Sequence, residues 1–158
     1  MNETLFTSSY IIVMVLKLSV LESKGLREYL CNIPYDADLL VSLKDIVKKL
    51  QIRSGIMTVI GALRNATLYY YLQDEKRFHK NTFEGPLEIA SGTGNIATLN
   101  DEIIVHCHLV LADRDGRCFG GHLAEGSRVF AGEVYIRELS PPMKRKFDAK
   151  TGLNLFDI

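Results

Sequence analysis

Hydrophobic positions recur along this chain with two periods, and the switches between them place its elements. Leu26-Arg27-Glu28-Tyr29-Leu30-Cys31-Asn32-Ile33 alternates as a strand does and stops at Pro34. Leu39, Leu40, Leu43, Ile46, Val47 and Leu50 then return at three- and four-residue spacing, which predicts a helix from about Asp38 to Leu50, capped by Asp36 or Asp38. From there the pattern is that of strands. Ser54 to Leu63 is a glycine-bounded apolar strand, and an Arg64-Asn65 link leads to a second, Ala66 to Tyr71. A polar turn at Gln73 to Lys76 precedes Arg77-Phe78-His79-Lys80, and Pro86 to Ala97 reads as strand, glycine-containing bend at Gly92-Thr93-Gly94, strand. Residues 103 to 112, Cys118 to Leu123 and Gly132 to Leu139 supply the rest. The tail from Lys144 to Ile158 carries enough apolar residues to pack back on the domain. Many short strands with one clear helix predict an α+β fold, with a mostly antiparallel sheet of about seven strands that curls or closes partly into a barrel.

The candidate chemistry is concentrated in one hairpin. Three of the four histidines, His106, His108 and His122, flank the turn Asp113-Arg114-Asp115-Gly116. His106 and His108 share a face because side chains alternate along a strand, and Cys107 takes the other face. Asp at the first turn position and Gly at the fourth suit a type I turn closing a three-residue bulged loop, which pairs Asp113 with Arg117 and sets His108 opposite His122. A two-residue Asp115-Gly116 loop would pair Leu109 with His122 and turn His122 away. The first register is favoured because Arg114-Asp115 suits a right-handed turn; a bulge at Gly120-Gly121 would spoil the count. In the favoured register the three imidazoles converge as candidate metal ligands. His79 lies in a polar hairpin and is expected at the surface.

Composition narrows the classes. The chain has 158 residues, 47% hydrophobic and 24% charged, which fits one globular domain with a substantial core. Nineteen basic residues balance nineteen acidic ones, so no global field draws it to nucleic acid or to a membrane. Cys31, Cys107 and Cys118 lack the paired spacing of a zinc finger or a disulfide scaffold and read as reduced thiols of a cytoplasmic protein. The apolar run Tyr10 to Leu21 is interrupted by Lys17, is too short to span a bilayer, and lacks the basic start and cleavage site of a secretion signal. It is expected to be a packed strand or short helix, or an extension outside the core fold. Lys44, Lys48 and Lys49 form the solvated side of the helix, and Tyr69-Tyr70-Tyr71 fit partly buried sheet positions. Gly92-Thr93-Gly94 is too short for a dinucleotide or phosphate loop.

An ordered set of segments resembles one family, the plants-and-prokaryotes-conserved (PPC) domain. The set runs from Asp38-Leu39-Leu40 through Ile52-Arg53-Ser54-Gly55, Gly61-Ala62-Leu63-Arg64, Pro86-Leu87-Glu88-Ile89, Gly94-Asn95-Ile96, His106-Cys107-His108, Ala112 to Arg117 and Gly120-Gly121-His122-Leu123 to Phe147-Asp148 and Asn154-Leu155. The resemblance implies a PPC domain over residues 26–158, preceded by an extension over residues 1–25, and assembly as a homotrimer. It also implies an oligomeric DNA-binding or regulatory module, since in plants the domain follows AT-hook motifs; this chain has no Arg-Gly-Arg-Pro hook and no basic arm. The fold is similar to that of acetolactate decarboxylase and of a human zinc-dependent ester hydrolase, both with three zinc-binding histidines. Carried onto this sequence, that analogy makes His106, His108 and His122 ligands of Zn2+ and gives the alternative reading, a zinc-dependent lyase or hydrolase acting on a small anionic metabolite. Glu88 would then be a general base or hold a ligand histidine, and Arg64 and Asn95 would hold the anion.

Overall fold

A computed structural model describes residues 21–158 of the chain. Residues 10–20 of the first apolar run therefore lie outside the described residues, as does the question of how that run is folded. The elements are β1 (Lys24–Ile33), α1 (Leu39–Lys49), β2 (Gly55–Leu72), β3 (Arg77–Leu99), β4 (Glu102–Ala112), β5 (Cys118–Leu123), β6 (Arg128–Ser140), β7 (Arg145–Asp148) and β8 (Leu153–Phe156). No described helix is long and apolar enough to cross a membrane.

Asp38 is the helix cap. Its backbone is extended, and its Oδ1 accepts from the Val41 amide at 3.1 Å, satisfying one of the donors that a helix start leaves free. Its Oδ2 accepts from the Gly126 amide at 2.6 Å, so the same carboxylate ties α1 to the turn between β5 and β6. Lys48 and Lys49 sit in the last turn, beside the exposed carbonyl end. Leu39, Leu40, Leu43 and Val47 are buried, while Ile46 and Leu50 pack at the edge of the same stripe.

The sheet order is β1-β6-β2-β3-β4-β5, every neighbour antiparallel, and β5 returns to pair with β2. Strands β2 to β5 thus close into a small barrel, with β6 and β1 extending one side. Closure rests on two pairs, Leu68 with Leu123 and Tyr69 with His122. The barrel interior is filled by Leu63, Leu68, Ile96, Leu109, Leu111 and Leu123, all fully buried. Each such side chain stabilises the fold by roughly 1.5–3 kcal/mol relative to exposure.

Two expected breaks are absent. The segments 54–63 and 66–71 form one strand, β2, which shifts register between Leu63 and Asn65, and Gly92-Thr93-Gly94 runs straight through β3 with its shift between Ile89 and Ser91. Long strands wrapping a barrel must bend sharply, and a bulge supplies that bend without ending the ladder. Gly61 marks another such point: its φ is 133°, and a Cβ there would run into the Ala131 carbonyl. The C-terminal tail does fold back, as the hairpin β7-β8, held by Thr98 N to Met143 O at 3.0 Å and by Tyr71 Oη to Thr151 O at 2.8 Å.

Candidate metal centre

The loop between β4 and β5 sets the histidine register. Gly116 N donates to Asp113 O at 2.9 Å and Asp113 N to Arg117 O at 3.0 Å, while Asp113 Oδ1 accepts from the amides of Asp115 and Arg117, each at 2.9 Å. Gly116 takes φ 78°. This is the three-residue bulged loop, and it fixes the pairs Ala112–Cys118, Leu111–Phe119, Val110–Gly120, Leu109–Gly121 and His108–His122 with no slip at the two glycines.

The three imidazoles meet on the face that this register selects. Their ligand nitrogens all lie within 4.8 Å of one another, and the Nε2 atoms of His106 and His108 are 3.1 Å apart. Nitrogens bound to one tetrahedral zinc at about 2.0–2.1 Å would be separated by roughly 3.3 Å. The donor set is three imidazoles with no carboxylate or thiolate among them, so the cluster fits a borderline divalent metal. His108 is exposed and the other two are partly buried. His122 is backed by the rings of Tyr69 and Phe78, with centroids at 6.5 and 5.6 Å. Cys107 faces the core, where burial pushes its thiol up to about 12, so it supplies no thiolate.

The cluster opens on two cavities. The larger, of about 830 Å³, is walled by Tyr69, Tyr71, Phe78 and the β7-β8 hairpin, and the smaller, of about 390 Å³, by Thr93, Asn95, Met143 and Phe156; His106 and His108 border both. Asn95 is paired with His106 across β3 and β4, and its Oδ1 accepts from Arg145 Nη2 at 2.6 Å. The same Nη2 stands 3.2 Å from His106 Nδ1. Arg145 is a site residue that sequence reasoning missed, because nothing in the sequence sets it apart within the basic run Lys144-Arg145-Lys146.

Glu88 and Arg64 are not brought to the cluster and line neither cavity. Glu88 is exposed and pairs with Ala112, the last residue of β4. Arg64 pairs with the Asp36 carboxylate and lies over the Tyr35 ring, 5.4 Å from its centroid. His79 is exposed near the β2-β3 turn, opposite Tyr70, and stays apart from the other three histidines. Of the tyrosine run, Tyr69 and Tyr71 are partly buried against the cavity, whereas Tyr70 is 61% exposed.

The profile of the Plants and Prokaryotes Conserved (PCC) domain matches residues 20–140, about three quarters of the chain. The chain belongs to this family. Solved structures of similar proteins agree with the PPC fold. The metal-containing protein from Archaeoglobus fulgidus is 34% identical, with a TM-score of 0.82 over 88% of this chain and 99% of that one. A PPC protein from Pyrococcus horikoshii is 33% identical, with a TM-score of 0.80 over 92% and 98%. A protein from Bacteroides thetaiotaomicron, provisionally named as DNA-binding, is 27% identical, with a TM-score of 0.78 over 85% and 96%. The bifunctional protein GlmU of a Synechococcus strain is 28% identical over 135 residues, 84% of this chain. The PPC chain spans only a fifth of the length of that curated relative.

Electrostatics keep two of the imidazoles neutral in this PPC domain. Burial first, then the neighbouring histidines and Arg145, lower His106 and His122 from 6.5 to about 4. Between pH 6.5 and 4 the unfolded chain therefore binds more protons than the folded one, so stability is fully present above pH 6.5 and falls as the pH drops toward 4. Thermal melting of the metal-free protein is expected to be flat from pH 8 to 7 and to decline below 6.5. A His106→Gln, His122→Gln double variant should flatten that decline. Asp148, whose carboxyl is held below its ordinary value of 3.8 by Thr151, titrates outside the window. A wild-type profile that stays flat down to pH 4.5 would refute the burial argument.

Proposed function

We propose that His106, His108 and His122 hold one zinc ion and that the centre acts on a small anionic metabolite as a metal-dependent lyase or hydrolase. The observation that carries this reading is the convergence of three imidazoles at the border of a cavity large enough for a metabolite. The metal-containing relative from Archaeoglobus fulgidus supports it further. Zinc with three protein ligands supplies a Lewis acid with a position left open to water or substrate. Asn95, expected from the sequence to hold the anion, instead accepts from Arg145 in this reading and orients that guanidinium beside His106. Glu88 and Arg64 line neither cavity beside the histidines and take no part in this reading. Metal analysis of the purified, chelator-washed and zinc-reloaded protein tests the reading, with about one zinc per chain expected; a wild-type protein that cannot be loaded would defeat it.

Assembly as a homotrimer is part of the same proposal. The outer face of β1, β6 and β2 presents Leu30, 86% exposed, and Ile60, 56% exposed, around a shallow depression that also includes Tyr135. An apolar patch of this kind on a sheet face favours burial against another chain. Light scattering after size exclusion is expected to give about 53 kDa, three chains of 17.8 kDa, and Leu30→Asp with Ile60→Asp should give the monomer. A wild-type monomer at micromolar concentration would remove the trimer. The three cysteines are free, which supports the cytoplasmic location that belongs to this proposal.

DNA binding is the second reading, favoured by the names given to the Bacteroides thetaiotaomicron relative and to one from Ralstonia eutropha. Neutral net charge works against it, since phosphate contacts supply most of the non-specific affinity. Titration of an AT-rich duplex across salt concentrations decides the matter, and no binding at low salt removes DNA as a direct partner.

A further inference from the structure

Among the described residues, the half-buried guanidinium of Arg145 has backbone and neutral partners but no carboxylate. Nη1 donates to Asn154 O at 2.7 Å, Nη2 to Asn95 Oδ1 at 2.6 Å, and the plane lies over Phe156 with Cζ 4.8 Å from the ring centroid. Its Nε is buried and has no hydrogen-bond partner among the described residues. Among the described residues, neither cavity beside the histidines is lined by an aspartate or glutamate, and Arg145 is the single lysine or arginine lining either.

Metal loading would leave this corner short of negative charge. The Nε2 atoms of His106 and His108 face each other, and a neutral imidazole that gives Nε2 to a metal carries its proton on Nδ1. His106 Nδ1 is the atom that Arg145 Nη2 approaches at 3.2 Å, and two donors cannot bond to each other. Loading therefore frees an Nη2 donor beside a divalent cation held by three neutral ligands, in a partly buried cavity where unpaired charge is costly.

Resting on the metal reading above, we infer that Arg145 is the anchor for a carboxylate on the ligand of this site. The carboxylate lies between guanidinium and metal, and an apolar, flat body lies along the Tyr69 and Phe78 side of the larger cavity. A carboxylate fits better than a phosphate: one planar fork satisfies two carboxylate oxygens, whereas a phosphate dianion draws several cationic or amide donors, and no further cation lines the cavity.

The test uses the full chain loaded with Co2+, whose visible spectrum reports its coordination shell, with benzoate as probe and inorganic phosphate as comparator. Benzoate is expected to bind by calorimetry and to shift the visible bands, with phosphate at least about 10-fold weaker. Arg145→Gln should retain about one metal per chain and lose roughly 10- to 100-fold in benzoate affinity, the effect of removing a charge-assisted hydrogen bond. Arg145→Lys, which keeps the charge without the fork, should fall between and serves as the comparator if the Gln variant melts early. Equal benzoate affinity in wild type and variants, no binding to fully loaded wild type, or preference for phosphate each overturns the Arg145 assignment while leaving the metal centre standing. A wild-type protein that takes up no metal overturns the centre and this inference together.

Discussion

His108→Ala is expected to abolish stoichiometric metal binding, taking the zinc content of the reloaded protein from about one per chain to near zero. Among the described residues three imidazoles are the whole donor set, with no carboxylate among them to take the vacated place. Cys107, the nearest thiol in sequence, points into the core and holds its proton tightly. Two ligands on flexible side chains rarely retain zinc against a chelator. Because metal binds the folded chain, its loss should also appear as stability. A ligand at a thousand times its Kd stabilises by about 4 kcal/mol, which for a chain of this size corresponds to a rise in Tm of roughly 10 °C. Wild-type protein should thus melt lower in the presence of EDTA, whereas His108→Ala, being exposed and on the cavity side, should melt near the metal-free wild type with or without chelator. A variant that keeps full zinc content would show that the cluster is not the binding site.

What sequence could say about this site depended on the range over which each interaction acts. The helix was legible because Asp38 and the leucines at three- and four-residue spacing act within one turn of one another. The pairing of His108 with His122 was legible for a related reason: Asp113 and Gly116 fix the loop type, and strand pairing propagates that count residue by residue. Barrel closure had no local signature, since Tyr69 and His122 meet only because long strands coil. The same coiling explains why β2 and β3 looked like broken strands: Arg64-Asn65 and Gly92-Thr93-Gly94 resemble breaks when the bend they accompany is unseen. Arg145 was hidden by its company. Lys144 and Lys146 point to solvent, and only the fold-back of β7 onto β3 turns the middle residue of the three inward. Glu88 and Arg64 were candidates as polar groups expected near the histidines, but Arg64 pairs with Asp36 and neither residue lines the cavities beside the cluster.

Gly121→Val should cost the metal site nearly as much as removing a ligand, although residue 121 touches no metal. β5 is held on one side by β4 and on the other by β2, and Gly121, paired with Leu109, directly precedes His122 and Leu123, whose two pairs with β2 close the barrel. A Cβ at this position would stand 2.9 Å from Tyr69 O and 3.2 Å from Leu68 Cβ, and the first of these is backbone that cannot turn aside. The two methyl groups of valine add to the conflict. Relief requires β5 to move off β2, which breaks the Leu68–Leu123 and Tyr69–His122 pairs and carries the His122 ring away from His106 and His108. Leu123, fully buried, would be partly withdrawn from the core at the same time. Overpacking of this kind typically costs about 1–3 kcal/mol, and a lost position for one of three ligands should weaken zinc by at least the roughly 10- to 100-fold seen when supporting residues of metal sites are removed. Zinc affinity by competition with a chromophoric chelator, together with hydrogen exchange at the β5 amides, separates the two effects: faster exchange confined to β5 with weak zinc binding is the expected pattern. Wild-type zinc affinity and unchanged β5 protection would mean that β5 can close the barrel without glycine, and the positioning of His122 would then need a different cause.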